Sequence, residues 1–431
     1  MISKLLVFAL AWSAADGFLS QKILTADLFP SNWDAEIDDS CIISKSTAFE
    51  TIEGPVEFSQ SPLEHPEQPK ILPAINNTAW EQWEFDSVSE TGMSGFMVAF
   101  SRDASYAFFG QGNLRVEFYM SNSDGSVIQE LDYLSESTII TCDQYVKGVF
   151  NSSNRMYSFH ITRDMKYAQL SFTSPQVQGH VNLTAVTPPH LADGTIWPSE
   201  TTNTADSLKL APGLFLSQPM AGARAAVDAT LRSGKRIRFT GIGGHLRLWA
   251  NDGWFKLCEG WHFVRAAVGP YTLNYWEPVS RVENSTMHYA AYLFHNEELL
   301  VATRTGTAST TEDFVLFEDE FDGELAGRLA DKNTGHVIEF VSPSREVRWR
   351  FSMRHIVKQF EMGFGEGTGL SGFANYVVGG EVDGPQYIGK GFSEQVVLPR
   401  EIVRWRIWLV FGIGLLHYGK STVLKAVSYL W

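Results

Sequence analysis

The sequence predicts an all-β protein, and three features of the chain support this class. Runs in which apolar and polar residues alternate recur throughout, and a period of two is typical of strands with one buried face. Turns rich in glycine, asparagine or serine separate these runs, whereas long amphipathic helical windows are scarce. With 431 residues, the chain is long enough for two domains that each bury a core.

The predicted strands lie close together along the chain. Residues 92–100 form a β-rich run, residues 114–120 alternate, and residues 121–126 have the composition of a hairpin turn. Similar runs occur at 157–161, 168–172, 235–240, 289–294, 299–304, 337–341 and 346–353. Many short strands with glycine-rich turns favour a sandwich or a barrel over a βαβ architecture.

The first residues predict a signal peptide. Lys4 supplies a positive charge, residues 5–12 are apolar, and small residues allow cleavage after Ala15 or Gly17. The alternative is a buried helix or strand of the mature domain. The predicted location is therefore the secretory pathway: the endoplasmic reticulum lumen, a vesicle or the outside of the cell.

Sequons and cysteines agree with this location. N-glycosylation sequons begin at Asn76, Asn151, Asn182 and Asn284. In an oxidising lumen, Cys41 and Cys142 of the N-terminal half are expected to form a disulfide. Cys258 then stays free in an apolar setting.

Charge excludes one class of partner. The 34 basic and 49 acidic residues give a net charge of −15, and no basic run is present. Because a phosphate backbone would be repelled, we expect no nucleic-acid partner.

The C-terminal residues 401–431 form an apolar tail. Its uninterrupted apolar run, residues 407–416, is too short to span a bilayer alone, and Arg404 and Arg406 precede it. We expect a short helix that docks on the β-structure or contacts a membrane surface peripherally, with membrane insertion as the less favoured alternative.

Sequence motifs of triad, metal or nucleotide chemistry are missing. There is no GxSxG elbow, HExxH helix, P-loop or dinucleotide fingerprint. Cys258 and His262 are four residues apart, but no second Cys or His pair completes a metal site. The acidic run 317–322 is more often a solvated turn than a cation site or a glycosidase carboxylate pair. We therefore expect neither a metal nor a cofactor.

Aromatic side chains are dense between His245 and Trp276. They are Trp249, Trp254, Phe255, Trp261, Phe263, Tyr271, Tyr275 and Trp276. Such side chains can line an apolar cavity for a hydrophobic ligand, while a few polar groups fix its orientation. The alternative is an ordinary aromatic core.

Two segments carry distinctive motifs, residues 241–249 (GIGGHLRLW) and residues 261–272 (WHFVRAAVGPYT). They resemble, respectively, the glycine–His–Trp signature and the Trp–Arg–Gly-Pro-Tyr signature of the fungal lipocalin-like Diels–Alderases and the related carotenoid hydratases. Residues 83–86 (WEFD) resemble an early strand of that family, and residues 364–395 resemble its last strands. The resemblance spans roughly residues 80–400.

The resemblance implies a domain organisation. After a signal peptide at 1–17, an N-terminal β-sandwich domain covers 18–262 and a lipocalin-like β-barrel covers 263–400. The apolar tail, residues 401–431, follows. The substrate pocket is expected between the two domains or within one of them.

The resemblance also implies a pericyclase that catalyses a [4+2] cycloaddition, Diels–Alder or hetero-Diels–Alder, without a cofactor. The expected substrate is a hydrophobic polyketide, tropolone or terpenoid, and the hetero-Diels–Alderases of tropolone–sesquiterpenoid pathways are the first branch to consider. Two alternatives remain open. One is a hydratase or isomerase acting on a terpenoid, and the other is a lipocalin-like carrier without catalysis.

Site residues follow from this chemistry, which needs positioning rather than an acid–base triad. His245 and Arg265 are the candidate catalytic donors to a dienophile carbonyl. The alternative is that both satisfy backbone groups or Asp86 inside the fold. The candidate wall residues, each of which is alternatively a plain core aromatic, are Trp83, Tyr119, Trp249, Trp261, Phe263, Tyr271, Trp276 and Tyr376.

Overall fold

The structure, a computed structural model, describes residues 41–104, 112–199, 204–365 and 367–400. The predicted signal peptide (1–17) and apolar tail (401–431) lie outside the described residues. Almost all regular structure in the described part is antiparallel strand, arranged in two large sheets and one small one. The predicted all-β class is therefore confirmed.

The first half of the chain forms sixteen strands. They are β1 (Ile42–Thr47), β2 (Glu57–Phe58), β3 (Ile71–Leu72), β4 (Trp80–Ser89), β5 (Gly95–Asp103), β6 (Leu114–Ser121), β7 (Val127–Tyr133), β8 (Glu136–Thr141), β9 (Tyr145–Ser152), β10 (Arg155–Thr162), β11 (Tyr167–Thr173), β12 (Val177–Ala185), β13 (His190–Leu191), β14 (Lys209–Ala211), β15 (Leu214–Leu231) and β16 (Arg236–Ala250). Strands β2 and β3 pair only with each other. The others form one sheet in the order β1-β8-β9-β10-β11-β12-β15-β16-β4-β5-β6-β7, with β13 and β14 beside β15.

This first sheet curls into a half-barrel whose two flanks face each other. Phe85 of β4 lies 5.7 Å from Phe159 of β10, measured between ring centroids. Phe96 of β5 lies 5.8 Å from Phe172 of β11. The two layers of the predicted sandwich are thus flanks of one sheet, which is continuous through the long strands β15 and β16.

The second half of the chain forms ten strands. They are β17 (Cys258–Val268), β18 (Tyr271–Ser280), β19 (Thr286–Met287), β20 (Ala290–His295), β21 (Glu298–Thr303), β22 (Phe314–Glu320), β23 (Gly335–Ser342), β24 (Val347–Gly365), β25 (Thr368–Glu381) and β26 (Gln386–Val397). Their order is β21-β20-β18-β17-β26-β25-β24-β23-β22, with β19 beside β18. The amide of Val315, near the start of β22, donates at 2.9 Å to the carbonyl of Thr305, which lies just beyond the end of β21. The result is a nearly closed nine-strand barrel.

Helical structure is limited to short pieces in the described residues. The helix α1 (Trp254–Leu257) connects the two large sheets, and 3₁₀ turns occupy Ala205–Ser207 and Pro343–Arg345. The last strand of the first sheet ends at Ala250, and β17 of the second sheet begins at Cys258. The predicted domain boundary at 262/263 therefore falls inside β17. In the part of the chain that the structure covers, no helix is long and apolar enough to cross a membrane.

The three cysteines fall into two states. Cys41 and Cys142, the two that the sequence predicted to pair, are both disulfide-bonded. Cys258 is free and buried. Burial raises the pKa of the Cys258 thiol to about 12, so it stays protonated at neutral pH.

The alternation of β17 and β18 gives the barrel wall two different faces. Val264 and Tyr275 point into the barrel, where they join its aliphatic and aromatic core. Phe263 and Trp276 point outward and share a second core with Leu248 of the first sheet. The outer face of the barrel wall therefore packs against the first sheet. Side chains from both sheets line the space between them.

A buried ion pair lies where the two sheets meet. Arg265 of β17 contacts the carboxylate of Asp86 of β4, and each side chain is only 1% exposed. The Arg265 Nε also donates to the carbonyl of Ala221 at 2.9 Å. Opposite the guanidinium stands Gly244, where a Cβ would come within 2.5 Å of the Arg265 Cζ. The absence of a side chain at Gly244 is what admits the arginine.

We predict that Asp86→Ala destabilises the protein by about 3–5 kcal/mol, because it leaves the Arg265 charge buried without its partner. Urea unfolding measures the effect. The matched control is Asp228→Ala, which removes a partly exposed carboxylate paired with the exposed Arg236 and is expected to cost far less. The double variant Asp86→Ala/Arg265→Met should recover part of the loss, and equal losses in the two Asp variants would contradict the prediction.

Candidate active site

A cavity of ≈ 80 Å³ lies between the outer faces of the two large sheets. It is lined by residues of β4, β5, β6 and β16 from the first sheet, by β17, β18 and β24–β26 from the second, and by α1. The lining residues are Gln82, Glu84, Met97, Ala99, Arg115, Glu117, Tyr119, Leu248, Trp254, Trp261, Trp276, Phe360, Phe364, Leu370, Glu394, Val396 and Leu398.

Strand alternation selects these residues. On β4, Gln82 and Glu84 face the cavity, while the neighbouring Trp83 and Phe85 point into the half-barrel core. On β6, Tyr119 faces the cavity in the same way. Strands β4, β5, β6 and β16 of the first sheet thus give one face to the half-barrel and the other to the cavity.

Aromatic pairs form much of the wall. Tyr119 of the first sheet stacks on Phe360 of the second, with ring centroids 4.4 Å apart. Trp254 of α1 lies 4.4 Å from Trp261 of β17. These rings present extended π faces to whatever occupies the cavity.

Glu84 and Glu394 are two buried carboxyl groups in this otherwise aromatic space. The Gln82 Nε2 donates to Glu84 Oε2 at 2.9 Å, and the Trp261 Nε1 donates to Glu394 Oε1 at 2.8 Å. Burial raises the pKa of Glu84 to about 7, against the opposing pull of the Arg265 charge. Burial also raises the pKa of Glu394 well above its usual range, and the nearby Glu84 adds to that shift. Glu394 therefore holds its proton to higher pH than an exposed glutamate and, while protonated, has an O–H to donate.

Tyr119 provides a second neutral donor. Its hydroxyl donates to Glu117 Oε2 at 3.4 Å. The Arg115 Nε holds the other oxygen of that carboxylate at 2.8 Å. Burial, reinforced by the Glu117 charge, raises the pKa of the Tyr119 phenol well above its ordinary value. The cavity thus combines apolar π faces with protonated oxygen donors, which suits an unsaturated carbonyl compound.

The predicted wall residues divide into two groups. Tyr119, Trp261 and Trp276 line the cavity, and Phe263 packs behind Trp276 at 4.7 Å. The other four lie elsewhere. Trp83, Trp249 and Tyr271 alternate with cavity-facing positions and so point to the opposite face, whereas Tyr376 shares the face of Leu370 but lies farther along β25. Trp83 is in the half-barrel core, Trp249 packs on Phe215, Tyr271 is in the barrel core, and Tyr376 lies under the Lys390 ammonium.

His245 faces the half-barrel core and does not line the cavity. Its ring stacks on Phe85 at 3.9 Å. The Nδ1 lies 2.8 Å from the Glu84 carbonyl, and the Nε2 lies 3.0 Å from a Glu67 carboxylate oxygen. These contacts match the alternative interpretation, in which the histidine satisfies groups inside the fold.

Arg265 also matches that alternative through its contact with Asp86. Burial lowers the pKa of Arg265 to about 9, so the side chain remains charged at neutral pH. Its link with the cavity is electrostatic, because its charge opposes the rise in the pKa of Glu84.

The sequence motifs missed the carboxyl groups Glu84, Glu117 and Glu394. A usable signal was present for two of them. Glu84 stands between two large aromatics in the WEFD motif, and Glu394 belongs to the 364–395 segment. For Glu84, a charged residue between two large apolar neighbours indicates a strand face with a polar function, whereas for Glu394 the signal is only its place in that segment.

Comparison with known proteins identifies relatives along nearly the whole chain. The profile of the family described as Diels-Alderase-like matches residues 38–399. Hexane cyclase pydB of Acremonium sp is 56% identical over 402 residues, which is 93% of each chain. Hexane cyclase xenF of Xenoacremonium sinensis is 51% identical over 430 residues, covering 100% of this chain and 98% of the relative. Diels-Alderase mycB of Thermothelomyces thermophilus is 50% identical over 399 residues, covering 91% and 90%.

A solved structure shares the fold. The crystal structure of CghA superimposes with a TM-score of 0.71 at 25% identity, covering 84% of this chain and 100% of that chain. The same protein with Sch210972 gives a TM-score of 0.70 at 25% identity, covering 83% and 99%.

We predict that Glu84→Gln stabilises the protein at pH 8 but not at pH 5. The pKa of Glu84 is raised from 4.5 to about 7 in the folded state. The folded protein therefore binds more protons than the unfolded chain between these values, and the wild type loses stability as the pH rises through them. Glutamine cannot ionise, so the gain at pH 8 should be on the order of 1–3 kcal/mol by urea unfolding.

Glu318→Gln, at an exposed position of β22, is the matched control and should show no such pH dependence. A Glu84→Gln effect of equal size at both pH values would show that the raised pKa is wrong.

Proposed function

Because this chain belongs to the Diels-Alderase-like family, we propose that it catalyses a [4+2] cycloaddition in fungal secondary metabolism, in the cavity between the two sheets. The observation that supports this site is the combination of stacked aromatic walls with protonated, buried oxygen donors. The reaction forms two bonds in one step, without electron transfer or group transfer, and its chemistry calls for no cofactor.

The aromatic walls position the reactants. Tyr119 and Phe360 lie on opposite sheets, as do Leu248 and Trp261. A flexible polyene held between these surfaces loses the conformations in which diene and dienophile are apart. Restricting it to near-attack geometries removes part of the entropic barrier.

The neutral donors act on the electronic part of the barrier. In a Diels–Alder reaction whose dienophile carries a carbonyl, negative charge grows on that oxygen in the transition state. An O–H of Glu84, Glu394 or Tyr119 that donates to it stabilises the transition state more than the ground state. An ionised carboxylate accepts but cannot donate, so burial keeps these groups in the useful form.

Substrate entry requires side chains to move. The cavity of ≈ 80 Å³ is well below the roughly 300–1,000 Å³ of ordinary ligand pockets. Phe364 of β24 and Leu398, after β26, belong to the wall in this closed arrangement. We propose that rotation of such wall side chains opens the space that a polycyclic product needs.

The substrate class follows from the names of the relatives. They are hexane cyclases and Diels-Alderases. These names support closure of an all-carbon ring within one polyketide-type chain as the first candidate. The hetero-Diels–Alder reaction of a tropolone with a terpenoid, expected from the sequence, is the second candidate.

The proposed location is the secretory pathway. Cys41 and Cys142 are disulfide-bonded, and none of the four sequon asparagines is buried. Asn284 is exposed in a turn, with a φ of 53°. Peripheral membrane contact by residues 401–431 stays part of this proposal, which rests there on the tail's apolar sequence.

A hydratase or isomerase acting on a terpenoid is a second candidate function, favoured by one observation. A carboxyl group with a pKa of about 7, such as Glu84, can protonate an alkene as a general acid. Hydration adds the atoms of water to the product, whereas cycloaddition adds none, so the two reactions differ in product mass.

We predict that expression of this chain in a fungal host that makes linear polyene precursors yields a new product of unchanged mass. Mass spectrometry of cultures with and without the protein, grown in ¹⁸O-labelled water, measures this. The product should contain no more solvent label than its linear precursor, because a cycloaddition only redistributes electrons among existing atoms.

Two outcomes would replace the proposal. A product heavier by one labelled water would establish the hydratase. An unchanged metabolite profile, together with a hydrophobic compound retained by the purified protein, would establish the non-catalytic carrier.

We predict that kcat/KM of the wild type falls as the pH rises through about 7, because Glu84 loses its donor proton there. Glu84→Gln keeps a neutral N–H donor and should flatten this profile, whereas Glu84→Ala should lower the rate about tenfold or more at pH 6. Glu318→Gln is the control. A wild-type profile that is flat from pH 5 to 9 would remove Glu84 from the mechanism.

A further inference from the structure

The barrel contains a cluster of metal-ligating side chains that the cavity does not use. His262 of β17, Asp319 of β22 and Asp331 of the β22–β23 loop each bring one ligand atom to the same place, and the three atoms lie within 4.8 Å of one another. His262 belongs to the Cys258/His262 spacing and Asp319 to the acidic run 317–322, and the sequence analysis assigned a metal site to neither pattern. The fold brings them together and adds Asp331.

Strand alternation puts this cluster on the inner side of the barrel wall. On β17, His262 follows Trp261, so its side chain points to the opposite face from the cavity. The His262 ring lies 5.0 Å from that of Phe317. Phe317 in turn stacks on Tyr275 of the barrel core at 4.6 Å.

Neighbouring groups orient the three side chains. The Asn333 Nδ2 donates to Asp319 Oδ1 at 3.1 Å and to Asp331 Oδ2 at 3.2 Å. The His336 Nδ1 lies 2.9 Å from Asp319 Oδ1. The His262 Nδ1 faces the Glu277 carboxylate at 3.9 Å. Contacts of this kind behind ligands are typical of metal sites, where they fix carboxylates and the histidine tautomer.

Oxygen atoms without hydrogen-bond donors and the negative charge of two carboxylates both favour a bound cation. The Asn333 side chain is fully buried, and its Oδ1 has no hydrogen-bond donor. The Asp331 Oδ1 is also buried and without a donor. Among the described residues, no lysine or arginine forms an ion pair with Asp319 or Asp331. Asp319 and Asp331 are partly buried, and two carboxylates this close repel each other unless a positive charge lies between them.

We propose that His262, Asp319 and Asp331 bind one divalent first-row metal ion, with the Asn333 amide nitrogen holding the two carboxylates in place. One imidazole nitrogen with two or three oxygens suits Zn²⁺ or Mn²⁺, whereas Ca²⁺ prefers six to eight oxygens. Since Zn²⁺ binds such donors more tightly than Mn²⁺, it is the first ion to test. The ion holds β17, β22 and the β22–β23 loop together. Because β17 carries Trp261 on its other face, it also steadies a wall of the cavity.

The test uses the untagged full chain, treated with a chelator, loaded with Zn²⁺ and dialysed. We expect about one Zn²⁺ per chain by elemental mass spectrometry, and a Tm that rises by a few degrees on loading and falls again with chelator. Asp319→Asn and Asp331→Asn should each lose most of the bound Zn²⁺. Asp322→Asn, an exposed carboxylate paired with Arg354, is the matched control and should keep it.

Other results would overturn the proposal. Folded wild-type protein that holds no Zn²⁺ after loading, and no Mn²⁺ in a parallel experiment, would show a metal-free polar cluster. Asp331→Asn would then raise the Tm in the presence of chelator and leave it unaffected by Zn²⁺, because it removes one of two like charges. Equal Zn²⁺ binding by the wild type and by an Asp319→Asn/Asp331→Asn double variant would show that the ion binds elsewhere.

Discussion

The burial of Arg265 against Asp86 is the constraint on which the active-site geometry depends. This ion pair sets β17 of the barrel against β4 of the half-barrel, and Gly244 leaves the space that the guanidinium needs. With the two strands held in this register, Glu84 and Trp261 reach the same cavity. An arginine placed between two sheets thus has a structural role, and the reacting groups owe their positions to it.

The same burial creates the chemical properties of the cavity. A carboxyl group in water is ionised at neutral pH and accepts hydrogen bonds only. Between two aromatic sheet faces, Glu84 and Glu394 hold their protons to much higher pH, and so does the Tyr119 phenol. Burial of these groups costs stability, and the same burial keeps them protonated to higher pH, so that they can donate to the carbonyl of the proposed substrate.

Strand β17 separates two sites within one element. Trp261 lines the cavity and Phe263 packs behind that wall, whereas His262 and Val264 face the barrel interior. Because residues of opposite parity never share a face, the aromatic site and the proposed metal site stay apart although they alternate along the same few residues. The barrel wall is only one strand thick, so a change that moves β17 on one side is felt on the other.

The sequence by itself determined the all-β class and the family, because alternation, turns and short motifs are local properties of the chain. It also supplied Tyr119, Trp261 and Trp276 for the cavity wall. Only the tertiary structure decided that His245 faces a core and that Glu84 and Glu394 share a cavity. Those outcomes depend on which face each strand turns to a distant partner, and the register between the two sheets is set by long-range packing rather than by neighbouring residues.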